Sequence, residues 1–222
     1  MSAATGDPLR VAASMWSVPP AEREAVVRRL AAAGLRRWHW DHSDGSLGPA
    51  GGFGPDEAAR ITRATRLAAE AHLMVADPLA VLAAWTWCDT VVVHVEADRW
   101  ADAVAGVRSA GRAAAVAIAP STPLDAVTDL DPDVGVLVMS VAPGHAGTTF
   151  VPETFDRVAA LRGRTPLGVD GGMTLPLARE CIAQGATWIV SGTDLCGCSD
   201  PRRWLADLGA ATGDEPGPAV AR

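Results

Sequence analysis

The sequence predicts a (β/α)8 TIM barrel formed by a chain of 222 residues. Eight short apolar runs alternate with stretches of helical periodicity, at intervals of about 25 residues. Several of these runs are rich in Val and Ile and almost continuously apolar, as parallel strands buried on both faces are. A compact barrel needs about 200 residues or more, so the chain is long enough. An open, doubly wound sheet is the alternative that the same alternation allows.

The predicted strands lie at Arg10–Trp16, Trp38–Asp41, Ala71–Val75, Val91–Val95, Ala114–Ala119, Gly135–Val141, Leu167–Val169 and Trp188–Ser191. Between the first two, Ala21–Ala33 has apolar residues every three or four positions and is followed by Gly34, which predicts a helix and its end. The same pattern predicts a helix at Pro176–Gln184. Asp77 followed by Pro78 is typical of a helix start, because aspartate caps the free N–H groups and proline fits the first turn.

Composition limits the function classes. The formal net charge is −7 without a cluster of basic residues, which argues against a nucleic-acid or anionic-membrane partner. No apolar run approaches the roughly 18 residues of a membrane span, and the N-terminus does not resemble a signal peptide, so we expect a cytoplasmic protein. We expect residues 1–211 to form one barrel and 212–222 to be a disordered tail. Four cysteines are expected to be reduced thiols without a role: Cys88, Cys181, Cys196 and Cys198.

Four polar side chains interrupt the predicted strand ends. His39 and Asp41 are two residues apart on the second strand, so both point to one face, and the flanking tryptophans point outward to the helices. His72 lies on the third strand and Asp170 ends the seventh. Active sites of such barrels lie at the carboxyl ends of the strands. Two imidazoles and two carboxylates there suit one divalent transition metal: Zn²⁺, Fe²⁺, Mn²⁺ or Co²⁺. Taken singly, a histidine such as His39 or His72 is more often a hydrogen-bonded core residue than a ligand, and an aspartate before Gly-Gly, as Asp170 is, is more often a turn or cap residue.

Glycine-bearing loops follow the last three strands, at 143–147, 170–172 and 191–193. Barrels frequently bind phosphate with the loops after strands seven and eight. Glycine allows close approach of the backbone, whose N–H groups bind an anion without a charged side chain. Together the three loops indicate a phosphorylated substrate.

The motifs resemble those of the ribulose-phosphate 3-epimerase family over roughly residues 8–208. They occur in the family's order and spacing as His39-Trp-Asp41-His-Ser-Asp-Gly, His72-Leu-Met74-Val, His94-Val-Glu96-Ala, Val138-Met139-Ser-Val-Ala-Pro-Gly144 and Val169-Asp170-Gly171-Gly172.

The resemblance implies an isomerase that inverts C3 of a ketose phosphate. Asp41 and Asp170 would be both metal ligands and the acid/base pair, because a single base would return the proton to the face that it left. His94 would orient its neighbours, and the family commonly self-associates. The residues expected to contact the phosphosugar are Ser14, His72, Met74, Met139, Gly144, His145, Ala146, Gly147, Gly171, Gly172, Gly192 and Thr193.

Departures from the family pattern concentrate around the substrate. Ser43 replaces a methionine, Ala50 stands in a loop that usually carries asparagine, and His145 lies in an altered phosphate loop. Asp194 adds a negative charge near the expected phosphate, which is unfavourable unless the carboxylate points away. We therefore expect the reaction type to be kept, whereas the substrate is either ribulose 5-phosphate or another phosphosugar of a specialised pathway.

Two other function classes compete. A sugar-phosphate decarboxylase on a related barrel would typically use a lysine, and the chain contains none. A non-catalytic phosphosugar-binding protein would be expected to have lost a ligand or an acid/base residue, and all four residues are present.

Overall fold

The structure is a computed structural model that describes residues 9–144 and 149–210. Within these residues eight parallel strands, β1 to β8, lie at Arg10–Ser14, Arg37–Ser43, Ala68–Met74, Thr90–His94, Ala113–Ile118, Gly135–Met139, Leu167–Asp170 and Trp188–Ser191. Each strand pairs with the next, and β1 pairs with both β2 and β8, so the sheet closes. The predicted (β/α)8 barrel is confirmed, and the open sheet is excluded because it would leave two edges unpaired.

Helices α1 to α8 lie at Arg23–Ala32, Pro55–Thr65, Pro78–Leu82, Trp100–Ser109, Thr154–Ala160, Leu175–Gln184, Thr193–Gly197 and Pro201–Asp207, with a 3₁₀ helix at Leu124–Val127. Asp77 caps α3 as predicted, since its side chain accepts a hydrogen bond from the N–H of Leu79. α6 ends at Gly185, whose φ of 118° favours glycine. None of the helices described combines the length and the apolar character that a membrane crossing needs.

The strands carry two separate cores. One lies between the sheet and the surrounding helices, and the smaller one fills the inside of the barrel. Trp38 and Trp40 belong to the outer core, where their Nε1–H groups donate to Thr65 and Thr62 of α2 at 2.9 Å and 3.0 Å. This confirms the predicted outward direction of both tryptophans. Because side chains alternate along a strand, the neighbouring residues of β2 point into the barrel.

One strand was not predicted. The two-residue strand Gly51–Gly52 pairs antiparallel with the end of β2. Gly52 has a φ of 86°, and a Cβ there would lie 2.1 Å from the carbonyl oxygen of Asp41, so this position requires glycine. The strand folds the loop after β2 back over the strand end that carries Asp41. The predicted tail, 212–222, lies outside the described residues.

Candidate metal centre at the barrel mouth

The structure brings the four predicted ligands together. His39 and Asp41 come from the end of β2, His72 from β3 and Asp170 from β7, and one ligand atom from each lies within 4.8 Å of the others. The Oδ1 atom of Asp41 is 3.2 Å from His39 Nε2 and 3.1 Å from His72 Nδ1. Asp170 Oδ2 lies 3.8 Å and 3.6 Å from the same two ring nitrogens.

The chemistry of this set fits a divalent transition metal. His39 Nε2 and His72 Nδ1 are 3.2 Å apart. The other ring nitrogen of each histidine contacts a residue outside the cluster, which is Glu70 for His39 and His94 for His72. The two histidines are fully buried, and the side chain of Asp170 is only 13% exposed. Two imidazole nitrogens and two carboxylate oxygens in such a space favour a shared cation, because buried negative charge is costly when it is unpaired. These four residues could therefore hold one metal ion.

Glu70 supports this cluster and was missed by the sequence reasoning. Its Oε1 atom is 2.7 Å from His39 Nδ1 and accepts a hydrogen bond from Trp188 Nε1 at 3.0 Å. Its Oε2 atom lies 3.8 Å from Arg37 Nε. Because Glu70 Oε1 already accepts from Trp188, it is placed to accept from His39 Nδ1–H as well, so that His39 would present Nε2 to a bound metal. The signal available in the sequence was its spacing, two residues before His72 on the same face of β3.

The pKa values of the two carboxylates are shifted in opposite directions. Burial raises the pKa of Asp170 above its usual value, and the nearby charge of Asp41 raises it further. Burial also opposes ionisation of Asp41, but the adjacent His39 and His72 outweigh it and hold the pKa of Asp41 well below its usual range. Ser14 adds to this by donating a 2.6 Å hydrogen bond to Asp41 Oδ2. The pKa values of the two carboxyl groups are thus shifted in opposite directions, and acid/base pairs need such a difference in environment.

This asymmetry predicts a pH-dependent gain in stability for Asp170→Asn in the metal-free protein. The folded pKa of Asp170 is raised, so ionisation destabilises the fold above that pKa and costs nothing below the unfolded value of about 3.9. At pH 8 we therefore expect the variant to melt at a higher temperature than the parent. The difference should vanish near pH 4 in thermal unfolding scans. An equal difference at both pH values would show that the ionisation of Asp170 does not cause it.

Two adjoining cavities lie above the cluster. The smaller, about 50 Å³, is bordered by Asp41, Asp170 and five of the predicted substrate contacts, namely Ser14, Met74, Met139, Gly144 and Gly171. The larger, about 790 Å³, also reaches Asp170 and is bordered by Gly172, Gly192 and Thr193. This volume lies in the range of small-molecule sites. Of the predicted substrate contacts within the described residues, His72 borders neither cavity, because it is fully buried beneath them.

The larger cavity has no basic side chain among its described lining residues. An anion there would depend on backbone N–H groups and hydroxyls. Gly171 and Gly172 have φ values of 107° and 56°, and a Cβ on Gly171 would meet the Val141 side chain at 2.6 Å. Glycine is therefore required where this loop turns. The predicted contacts His145, Ala146 and Gly147 lie outside the described residues.

Two of the departures from the family pattern have local explanations. The carboxylate of Asp194 accepts hydrogen bonds from the N–H of Leu175 at 2.9 Å and from Trp204 Nε1 at 2.7 Å, so it is tied to α6 and α8. These two hydrogen bonds stabilise the negative charge of Asp194, which the sequence had suggested would be unfavourable near a phosphate. The hydroxyl of Ser43 accepts a hydrogen bond from the N–H of Gly45 and stabilises the turn after β2.

Comparisons with known proteins agree with the motifs. The family model described as "Ribulose-phosphate 3 epimerase family" matches residues 10–196. The ribulose-phosphate 3-epimerase cytoplasmic isoform of Oryza sativa subsp. japonica is 30% identical over 212 residues, which is 90% of this chain and 92% of the relative. The ribulose-phosphate 3-epimerase of Chlamydia trachomatis is 33% identical and covers 77% and 78% of the two chains.

A solved structure of 3-hexulose-6-phosphate synthase from Salmonella typhimurium superposes with a TM-score of 0.65 and covers 90% of this chain and 96% of the other. Its 13% identity shows a shared fold alone. The family model and the relatives, by contrast, extend over most of the sequence. The chain belongs to the ribulose-phosphate 3-epimerase family, an isomerase family of enzymes.

Proposed function

We propose that the chain is a metal-dependent epimerase that inverts C3 of a ketose phosphate, such as ribulose 5-phosphate or xylulose 5-phosphate. One observation carries the proposal: two carboxylates with opposite pKa shifts meet two buried histidines at the floor of a cavity. The family assignment supports the substrate class, since the relatives are named ribulose-phosphate 3-epimerases. The name of the rice relative also supports a cytoplasmic location.

His39, His72, Asp41 and Asp170 would hold the metal. When bound, a divalent cation supplies positive charge beside the negative charge that develops as a proton leaves a carbon next to a carbonyl. The proton itself is moved by the two aspartates. One removes it from one face of C3, and the other delivers a proton to the opposite face, which inverts the centre.

The remaining contacts would position the sugar. Ser14 holds the Asp41 carboxylate in one orientation through its 2.6 Å hydrogen bond. Met74 and Met139 border the small cavity beside both carboxylates, where their thioethers exclude water without competing for the proton. The phosphate would bind along the glycine loops at 171–172 and 192–193, through backbone N–H groups.

Proton exchange tests this function directly. Purified protein incubated with D-ribulose 5-phosphate in deuterated water is expected to form xylulose 5-phosphate carrying one deuterium at C3. The double variant Asp41→Asn/Asp170→Asn, purified in the same way, controls for contaminating host epimerase. If ribulose 5-phosphate is inert and another pentulose or hexulose phosphate exchanges, the substrate assignment is wrong and the specialised alternative holds. If neither ribulose 5-phosphate nor any other pentulose or hexulose phosphate tested exchanges its C3 proton, the epimerase proposal is wrong.

A further inference from the structure

A line of polar side chains runs from the metal cluster to the rim of the barrel. His72 Nε2 lies 2.9 Å from His94 Nε2, and His94 Nδ1 lies 2.9 Å from Glu96 Oε2. The other carboxylate oxygen of Glu96 accepts hydrogen bonds from the backbone N–H of Ala119, at 2.8 Å, and from the hydroxyl of Thr122. His94 is fully buried, whereas a quarter of the Glu96 side chain is exposed.

The hydrogen bonds of Glu96, the residue nearest the rim, determine which ring nitrogen of each histidine carries a proton. The N–H of Ala119 is a fixed donor, so Glu96 must accept there, and the carboxylate also accepts from His94. These hydrogen bonds hold the pKa of Glu96 at about 2, although burial opposes its ionisation. His94 therefore carries its proton on Nδ1 and has a lone pair on Nε2. His72 then donates from Nε2, so that its Nδ1, which faces Asp41 and Asp170, would offer its lone pair to a bound metal.

We propose that Glu96 is a positioning residue that fixes the tautomer of the metal ligand His72 through His94. The exposed rim of the barrel thereby determines whether the Nδ1 atom of His72 can bind a metal. Glu70 does the same for His39 by direct contact. The inference rests on the metal site of the proposed function.

The variant Glu96→Gln tests this with almost no change of shape. Its carbonyl oxygen must face the N–H of Ala119, because turning the amide would place two donors against each other. The NH₂ group then faces His94 Nδ1, which becomes an acceptor, and His94 carries its proton on Nε2. His72 Nε2 must then accept a hydrogen bond from His94 Nε2–H, so the proton of His72 lies on Nδ1, in the position where the metal would bind.

Two readouts apart from activity follow. In ¹⁵N spectra of the histidine side chains, His94 is expected to carry its proton on Nδ1 in the parent and on Nε2 in Glu96→Gln. The Zn²⁺ dissociation constant, measured by competition with a chromophoric chelator, is expected to rise about 10–100-fold. The matched control is Thr122→Val, which removes one donor to Glu96 but leaves the contact with His94. Its Zn²⁺ affinity should stay within about two-fold of the parent.

A second pair of variants keeps the test decisive if Glu96→Gln does not fold. His94→Gln keeps an acceptor for His72 Nε2 and should retain Zn²⁺ affinity, whereas His94→Leu removes the acceptor and should lose it. An unchanged His94 tautomer in Glu96→Gln, or a Zn²⁺ affinity within about two-fold of the parent, overturns the inference alone. A parent protein that does not bind Zn²⁺, Fe²⁺, Mn²⁺ or Co²⁺ overturns the proposed metal site as well.

Discussion

Asp170→Asn is expected to slow the inversion of C3 by at least about 10³-fold while the barrel stays folded. Acid/base groups typically contribute about 10²–10⁴-fold, and inversion requires one such group on each face of the carbon. The amide has nearly the same shape as the carboxyl group but neither accepts nor releases a proton near neutral pH. Initial rates of epimerisation, together with thermal unfolding and metal content, measure the effect.

The matched control for this variant is Asp77→Asn. Asp77 caps α3 and belongs neither to the metal cluster nor to the lining of either cavity, and asparagine caps helices equally well. Its epimerisation rate should equal that of the parent. If Asp170→Asn kept more than about a tenth of the parent rate with its metal bound, Asp170 would not be an acid/base residue, since that loss is below the range for such groups.

His39→Gln is expected to weaken metal binding by more than the 10–100-fold that is typical when a residue supporting a ligand is lost. The variant removes the ring nitrogen that lies 3.2 Å from Asp41 and the imidazole that contacts Glu70. Metal analysis after gel filtration should give about one transition metal per chain for the parent and almost none for the variant.

His42→Gln is the control from the same strand. The ring of His42 contacts the carbonyl oxygen of Phe53 at 2.9 Å and packs near Trp85, outside the metal cluster. This variant should retain the metal. A His39→Gln protein that still binds one metal per chain as tightly as the parent would contradict the ligand assignment.

Much of the fold could be predicted because buried parallel strands have a distinct composition. The apolar runs at 91–95 and 135–141 fall on β4 and β6 almost to the residue. The third strand was predicted to begin at Ala71 but begins at Ala68. Its first residues, Ala-Ala-Glu, have little intrinsic strand preference and are extended because they pair with β2.

Because the predicted strand began three residues too late, Glu70 was left outside it and was missed. A residue placed before the strand has no assigned face, so its contact with His39 could not be inferred. The ligands themselves were predictable because alternation along β2 fixes their direction once the tryptophans are assigned outward. The partners of Asp194 were not predictable, because Trp204 comes from a helix whose packing no local pattern specifies.

We propose that Asp41 and Asp170 act on opposite faces of C3. The most direct test is whether a variant lacking one of them still exchanges the C3 proton with solvent without inverting C3. Asp41→Asn and Asp170→Asn are each incubated with ribulose 5-phosphate and, separately, with xylulose 5-phosphate in deuterated water, and C3 deuteration of the unconverted sugar is followed by NMR. We expect each variant to exchange the C3 proton of one epimer only, the two variants to differ in which one, and neither to interconvert them. Exchange of the same epimer by both variants, or inversion by either, would contradict two bases acting on opposite faces.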